Sequence, residues 1–114
     1  MLSRNRRLRL TRDFNNIFWH GRVVRLSGLA FKWINRKTSG TRLAVVVPSH
    51  RVRKATDRNR IKRQINSVLE EEICCIQTGI DGVVIIEGAI ESKRTNFFKE
   101  TVLQLLRRSK VLIC

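Results

Sequence analysis

The chain has 114 residues, 42% of them hydrophobic, which predicts one folded domain over residues 1–114 rather than a disordered chain. Its 24 Lys and Arg side chains outnumber its 9 Asp and Glu side chains, and the net charge of +15 predicts a polyanionic partner, by default a nucleic acid. No stretch approaches the roughly 20 apolar residues of a membrane-spanning helix, and no apolar run follows the basic N-terminus, so we expect neither a membrane span nor a secretory signal.

The first elements are a basic arm and a short helix. Residues 1–10 form the arm and carry four Arg side chains. Thr11 is a suitable N-cap, Asp13 suits the positive end of a helix dipole, and Gly21 is a stop signal, so we expect a helix over about residues 12–20. Its apolar face, at i, i+3 and i+4, consists of Phe14, Ile17 and Phe18.

Extended structure follows the first helix. Residues 22–36 are rich in β-formers, and the alternation of Leu29, Phe31 and Trp33 places these three side chains on one inward face. Residues 37–41 have the composition of a hairpin connection to a return strand at residues 42–47. The continuous apolar run of that strand predicts burial on both of its faces.

The second half alternates helix, strand and helix. A basic connection over residues 49–54 leads into a helix that Thr56 or Asp57 can cap and that reaches about residue 74. Its core stripe consists of Ile61, Ile65, Val68, Leu69 and Ile73. Residues 78–82 are a predicted loop, residues 83–86 a short buried strand, and residues 94–109 an amphipathic helix. The order helix, strand hairpin, helix, strand, helix predicts an α+β layer sandwich.

The three cysteines favour a reducing compartment. Cys74 and Cys75 are adjacent and Cys114 is terminal, an odd set that does not build a disulfide framework. We therefore expect Cys74 and Cys75 to be small buried hydrophobic residues, and the chain to be cytoplasmic.

The most informative segment covers residues 51–63, where seven of thirteen residues are basic and Asp57 is the only acid. When Ile61 faces the core, Asn59 and Arg63 fall on the opposite side of the helix, beside free N–H groups at its N-terminus. Arg grips phosphate in a bidentate manner, which favours RNA binding over the alternative of an ordinary solvated helix face. The predicted RNA-binding residues are Arg51, Arg53, Lys54, Arg58, Asn59, Arg60, Lys62 and Arg63.

This segment resembles the basic signature of the bacterial ribonuclease P protein component. In that family an apolar strand, here residues 42–47, leads through a basic turn into a helix with the pattern RNRxKR, here residues 58–63. The pattern DFxxxFxxG at residues 13–21 is similar to the family's first helix, and DGVVII at residues 81–86 is similar to its late strand. The resemblance covers nearly the whole chain in the family's order.

The resemblance implies a two-layer α/β sandwich like that of a ribosomal protein domain, with a left-handed strand–helix–strand crossover. It implies a catalytic RNA as partner and precursor tRNA as substrate, from which the ribonucleoprotein endoribonuclease removes the 5′ leader. Mg²⁺ is then held mainly by the RNA, with no catalytic or metal-binding side chain in this chain and no obligate protein partner. By position, Phe14 and Phe18 line a cleft for the single-stranded leader. The residues that contact the catalytic RNA are then Arg58, Asn59, Arg60, Lys62 and Arg63.

Three side chains are expected in that leader cleft. Phe14 and Phe18 share a helix face, which suits either a stacking platform for bases or plain core, and both roles can coexist at a cleft wall. Lys32 lies out of phase with Phe31 and Trp33, so we expect it to point from the sheet toward the cleft.

The sequence departs from the family pattern at several positions. Ser49 and His50 replace a usual pair of Lys, residues 66–67 lose a cation, and Glu87 with Gly88 replaces a usually basic strand end. Residues 70–72 are acidic and residues 111–114 are apolar. The changes at residues 49–50, 66–67, 70–72 and 87–88 affect the expected leader binding more than the expected binding of the catalytic RNA, and the apolar tail has no functional interpretation.

Other functions remain open on the residues alone. A ribosomal or assembly protein shares the charge and the fold class, and the RNA that copurifies discriminates between them. A protein-only nuclease needs clustered carboxylates or His, whereas the acids are scattered and His20 and His50 are far apart in the sequence. A membrane-surface protein needs an exposed apolar helix face, and here the strands suffice to bury those faces.

Overall fold

The computed structural model describes residues 6–8, 11–36, 40–88 and 95–113. A four-stranded sheet has the strand order β1-β2-β4-β3, in which β4 runs antiparallel to β2 and parallel to β3. In chain order the elements are α1 (Thr11–His20), β1 (Arg22–Leu26), β2 (Leu29–Asn35), β3 (Arg42–Val46), α2 (Ala55–Glu72), β4 (Ile80–Ile86) and α3 (Thr95–Arg108). The α+β class predicted from the sequence is confirmed.

The hairpin lies earlier in the chain than predicted. Ser27 and Gly28 have φ values of 53° and 85°, as a two-residue hairpin turn requires, and they fold residues 22–36 into the antiparallel pair β1–β2. The predicted hairpin between residues 22–36 and 42–47 is wrong, because β4 lies between β2 and β3. Of the predicted connection, residues 37–39 lie outside the described residues.

β2 and β4 are the two interior strands of the sheet, and all seven residues of β4 are buried. β3 lies at the sheet edge, where only Leu43 of its five residues is buried, so the predicted burial of this strand on both faces is wrong. β4 also begins at Ile80, within the segment predicted as a loop. Asp81 is buried there and forms an ion pair with Arg42. Gly82 is required at the next position, because a Cβ would lie 2.6 Å from the Phe31 ring.

Helices cover both faces of the sheet. Val84 and Ile86 of β4 belong to the core beneath α2 and α3, whereas Val83 and Ile85 belong to a second core with Ile17 of α1. The two predicted layers are therefore present, and α1 adds a partial third layer on the opposite face. The handedness of the β3–α2–β4 crossover and the likeness to a ribosomal protein domain stay predictions.

The adjacent cysteines Cys74 and Cys75 differ from the prediction. They lie on a short 3₁₀ turn, Ile73–Cys75, that follows α2. Cys74 is an exposed free thiol, and Cys75 is half-buried and disulfide-bonded. The prediction of two small buried hydrophobic residues is wrong, because none of the residues in this turn is buried.

A buried carboxylate joins four elements around the sheet. The Asp81 side chain is 1% exposed and accepts two hydrogen bonds from Arg42, of 3.0 Å from Nε and 2.7 Å from Nη2. Arg36 Nε, just after β2, lies 2.9 Å from the same carboxylate. Arg42 Nη1 also lies 3.2 Å from Asp13 Oδ2 on α1. The hydrogen bond to Asp81 raises the pKa of Arg42, burial opposes this, and the charges of Asp81 and Asp13 add to it.

We predict that Asp81→Asn lowers the free energy of unfolding by about 3 kcal/mol, because it removes the buried counter-charge of Arg36 and leaves Arg42 paired with Asp13 alone. Asp57→Asn is the matched control, since Asp57 pairs with the half-exposed Arg60 and such pairs contribute roughly 0–1 kcal/mol. Urea denaturation of both variants measures the difference. Equal losses would show that the Asp81 cluster does not hold the elements together.

Candidate nucleic-acid interface

The predicted RNA-binding residues lie along the loop before α2 and on its first two turns. We call residues 51–63 the basic surface. Seven of the eight predicted residues are exposed and Arg58 is half-buried, while Ile61 and Ile65 anchor the inner side of the helix in the core. The exposed residues are Arg51, Arg53, Lys54, Asn59, Arg60, Lys62 and Arg63. The predicted division of α2 into a core face and a cationic face is confirmed.

Arg58 has a structural role that the sequence pattern does not reveal. Its Nη1 donates hydrogen bonds of 2.9 Å to the Val52 carbonyl oxygen and 2.7 Å to the Arg53 carbonyl oxygen. The guanidinium therefore fastens the preceding loop to the helix. Because these carbonyl oxygens are fixed, the backbone that carries Arg51, Arg53 and Lys54 is held in one arrangement.

The N-terminus of α2 lacks a side-chain cap. The helix begins at Ala55 with Lys54 as N-cap, so the predicted caps, Thr56 and Asp57, are wrong. A Lys side chain has donors only and cannot accept a hydrogen bond from the first-turn N–H groups. These N–H groups and the positive dipole end therefore remain suited to an external anion. Asp57 Oδ1 pairs instead with Arg60 Nη2 at 2.9 Å.

The three predicted cleft residues meet on the other face of the sheet. The rings of Phe14 and Phe18 lie 6.4 Å apart, and Lys32 Nζ lies 5.3 Å from the centre of the Phe18 ring. Phe14 is half-buried and packs against the core beneath α1, whereas Phe18 is 45% exposed. Phe14 is thus mainly core, and Phe18 offers an open aromatic face beside a cation.

Two further charged residues, Glu87 and Arg25, lie beside Lys32. The sequence named Glu87 among the changes expected to affect leader binding, whereas Arg25 was not predicted there. Glu87 accepts a 2.8 Å hydrogen bond from Arg25 Nε, and its other oxygen lies 3.4 Å from Lys32 Nζ. Burial of the Glu87 carboxyl would raise its pKa, but hydrogen bonds and charges from Arg25 and Lys32 outweigh burial and lower the pKa below its ordinary value. The pairing of β1 with β2 was the missing signal, since it places Arg25 opposite Ala30.

The two histidines are not partners. His20 lines a groove near Ile80, at the start of β4, and His50 lines another near Ile86, at its end. Within residues 6–8, 11–36, 40–88 and 95–113, no three His, Cys, Asp or Glu side chains come together as metal ligands. Three acids near the two surfaces, Asp57, Asp81 and Glu87, are instead bound by basic side chains.

Over the same ranges, no helix has the length and apolar character needed to cross a membrane.

Comparison with known proteins gives the same family in each case. The model of the ribonuclease P family matches residues 2–110. The chain belongs to the ribonuclease P protein family. The ribonuclease P protein component of Thermotoga maritima is 33% identical over 110 residues, which cover 93% of each chain. That of a Synechocystis strain is 33% identical over 86 residues, which cover 75% of this chain and 69% of the relative.

Solved structures of ribonuclease P proteins share the fold. The RNase P protein from Thermotoga maritima superposes with a TM-score of 0.76 at 30% identity, covering 90% of this chain and 96% of that chain. The RNase P protein from Staphylococcus aureus gives a TM-score of 0.85 at 24% identity, covering 94% and 97%. The family resemblance read from the sequence is therefore confirmed. A ribonuclease P protein component is part of an endoribonuclease holoenzyme and has an RNA partner within that ribonucleoprotein.

In this ribonuclease P protein, Glu87 competes with any anion for the cleft cations. We predict that Glu87→Gln raises the affinity for single-stranded RNA roughly two- to fivefold, the contribution of one partly exposed ion pair. Glu100→Gln is the control, because it makes the same charge change at an exposed position on α3. Fluorescence anisotropy with a labelled oligonucleotide measures both affinities, and equal gains would mean that only net charge matters.

The ion pairs of Glu87 with Arg25 and Lys32 should make the RNA affinity depend on pH. Glu87 has a lowered pKa in the folded protein, so its ion pairs stabilise the fold above the ordinary carboxyl pKa. This contribution is lost as the pH falls through the lowered value. The difference in RNA affinity between wild type and Glu87→Gln should therefore persist at neutral pH and vanish on acidification through that pKa. A difference that is unchanged in acid would contradict the assignment to Glu87.

Proposed function

We propose that the chain is the protein subunit that binds both the catalytic RNA of ribonuclease P and the 5′ leader of precursor tRNA. The observation that carries this proposal is the placement of two unlike surfaces on opposite sides of one sheet. The basic surface lies on α2, and the aromatic cleft of Phe14, Phe18 and Lys32 lies beside α1. One domain can therefore hold two RNA segments at the same time.

The catalytic RNA binds the basic surface in this proposal. Arg60, Lys62 and Arg63 project from α2 as phosphate ligands, with Asn59 between them as a hydrogen-bonding group. The uncapped first turn adds backbone N–H donors. Arg58 contributes mainly by positioning, since it fixes the carbonyl oxygens of the loop that carries Arg51, Arg53 and Lys54.

The leader binds the cleft in this proposal. Single strands are held by cations that follow the backbone and by aromatic faces that stack on bases, with roughly 1–3 kcal/mol per stacked base. Phe18 supplies the open ring, Lys32 supplies the cation, and Phe14 forms the floor. Stacking and phosphate contacts do not depend on the identity of the base, so the proposal includes sequence-tolerant leader binding.

We place hydrolysis of the phosphodiester bond on the RNA partner. The side chains near the two surfaces do not fit a Mg²⁺ site, because Asp57, Asp81 and Glu87 are each bound by Arg. A net charge of +15 also repels divalent cations. Mg²⁺ is therefore held mainly by the RNA, whose phosphates this protein helps to neutralise. No side chain of this chain acts as nucleophile, acid or base.

Reconstitution tests the proposal. The purified chain is mixed with its cognate candidate catalytic RNA and a precursor tRNA in low millimolar magnesium, beside protein alone and RNA alone. We expect cleavage at the leader junction to be efficient in the mixture and absent with protein alone. A mixture no better than RNA alone would contradict the subunit role and would favour ribosomal or assembly work.

Two substitutions give that assay its controls. Arg63→Gln removes an exposed cation from the basic surface and should weaken assembly with the catalytic RNA, with a shallower dependence of affinity on salt concentration. Lys99→Gln makes the same charge change at an exposed position on α3 that belongs to neither surface, and should leave assembly nearly unchanged.

A further inference from the structure

A second groove lies on the far side of α1 from the aromatic cleft. Its volume is about 810 Å³, and it is bounded by the C-terminal turn of α1, the end of β2 and the end of α3. Arg22, Arg36 and Lys110 line it, and none of its described lining residues is Asp or Glu. We call it the distal groove. An anion in this groove would meet only cations and neutral polar or apolar groups.

The distal groove and the cleft flank the same helix. Asn16 and His20 line the distal groove, and at 100° per residue they lie nearly opposite Phe14 and Phe18, which face the cleft. An α-helix with its side chains is only about 10–12 Å across. A single strand leaving the cleft therefore reaches the distal groove by crossing one helix.

The crossing point carries an exposed tryptophan. Trp19 is 82% exposed and lies on the outer face of α1, between the side of Phe18 and the side of His20. Arg12 and Asn15 share this outer face and are also exposed. The one acid of α1, Asp13, is turned toward Arg42. The outer face thus combines an indole, an amide and a cation, which is the set that binds single-stranded nucleic acid.

A strained backbone supports a binding role for Lys110. It follows α3 with φ of 62°, in the left-handed region where the residue after a helix is usually Gly. A Lys at this position costs stability relative to Gly, a pattern that is common at binding sites. Lys110 and Arg22 form no ion pair with any residue of the described ranges, so both can face a phosphate.

We propose that the distal groove binds the phosphodiester backbone of the leader beyond the segment held in the cleft, and that Trp19 stacks on a base where the strand crosses α1. This inference rests on the proposed function, since it extends the leader path of the cleft. Arg22 and Lys110 contact phosphates in this arrangement, and Arg36 is held in place by Asp81. Longer leaders therefore bind more tightly than leaders that only fill the cleft.

The experiment measures the affinity of the reconstituted holoenzyme for precursor tRNAs with a graded series of leader lengths. For the wild type we expect a second gain in affinity once the leader extends past the cleft. Lys110→Gln should reduce that second gain about threefold or more, and Trp19→Ala about fivefold or more, the lower end for one stacked base. Lys99→Gln, the same charge change elsewhere on α3, should retain the full gain.

Lys110→Gly separates binding from folding. Gly accommodates φ of 62° without strain, so the thermal midpoint should stay the same or rise while the second gain in affinity falls. Retention of the second gain in Lys110→Gly and Trp19→Ala would overturn the inference. Losses of affinity that are equal for every leader length and for mature tRNA would also overturn the inference, since they would show that the distal groove contacts the catalytic RNA rather than the leader.

The same series distinguishes this inference from the proposed function. Phe18→Ala should weaken binding of short and long leaders alike, because Phe18 lies in the cleft. If Phe18→Ala has this effect and the Lys110 and Trp19 variants have none, the inference that the distal groove binds the leader is wrong, and the proposed leader binding in the cleft is retained. If Phe18→Ala changes nothing either, the leader-binding part of the proposed function fails with it.

Discussion

The buried carboxylate of Asp81 is the contact on which the rest of the arrangement depends. It lies in the interior strand β4, and the guanidinium groups approach it from β3, which carries Arg42, and from the residue after β2, Arg36. Arg42 continues to Asp13, so the same network ties α1 to the sheet. Through this link α1 is seated where Phe18 meets Lys32. The buried negative charge of Asp81, in a domain whose net charge is +15, therefore orients the surface that the leader is proposed to use.

The acids in this basic chain explain how its charge is distributed. Asp81, Glu87 and Asp57 each lie against an Arg, so they organise some cations and leave others for a partner. Glu87 was expected to weaken leader binding, and its ion pairs hold Arg25 and Lys32 at the cleft border. This acid therefore both orders the cleft cations and competes with a phosphate, which lowers affinity without dismantling the site.

The helices could be predicted from local patterns, whereas the strand pairing could not. The spacing of Phe14 and Ile17, with Gly21 as stop, marked α1 to within a residue. No local pattern showed that β4 separates β2 from β3, because that choice depends on which strand buries most apolar surface. The start of α2 was misplaced because the helix begins at Ala55 behind Lys54, which makes no side-chain cap, so no capping pattern marks it. The basic surface was predicted as a set, and its division into seven exposed side chains and a half-buried Arg58 that binds the preceding loop required coordinates.

Site-specific crosslinking tests most directly the central claim that two RNA segments occupy opposite sides of one sheet. A photoreactive phenylalanine analogue replaces Phe18 in one sample and Arg63 in another, each in the holoenzyme with precursor tRNA. The account predicts crosslinks from position 18 to the leader and from position 63 to the catalytic RNA. Crosslinks from both positions to the same RNA segment would contradict it.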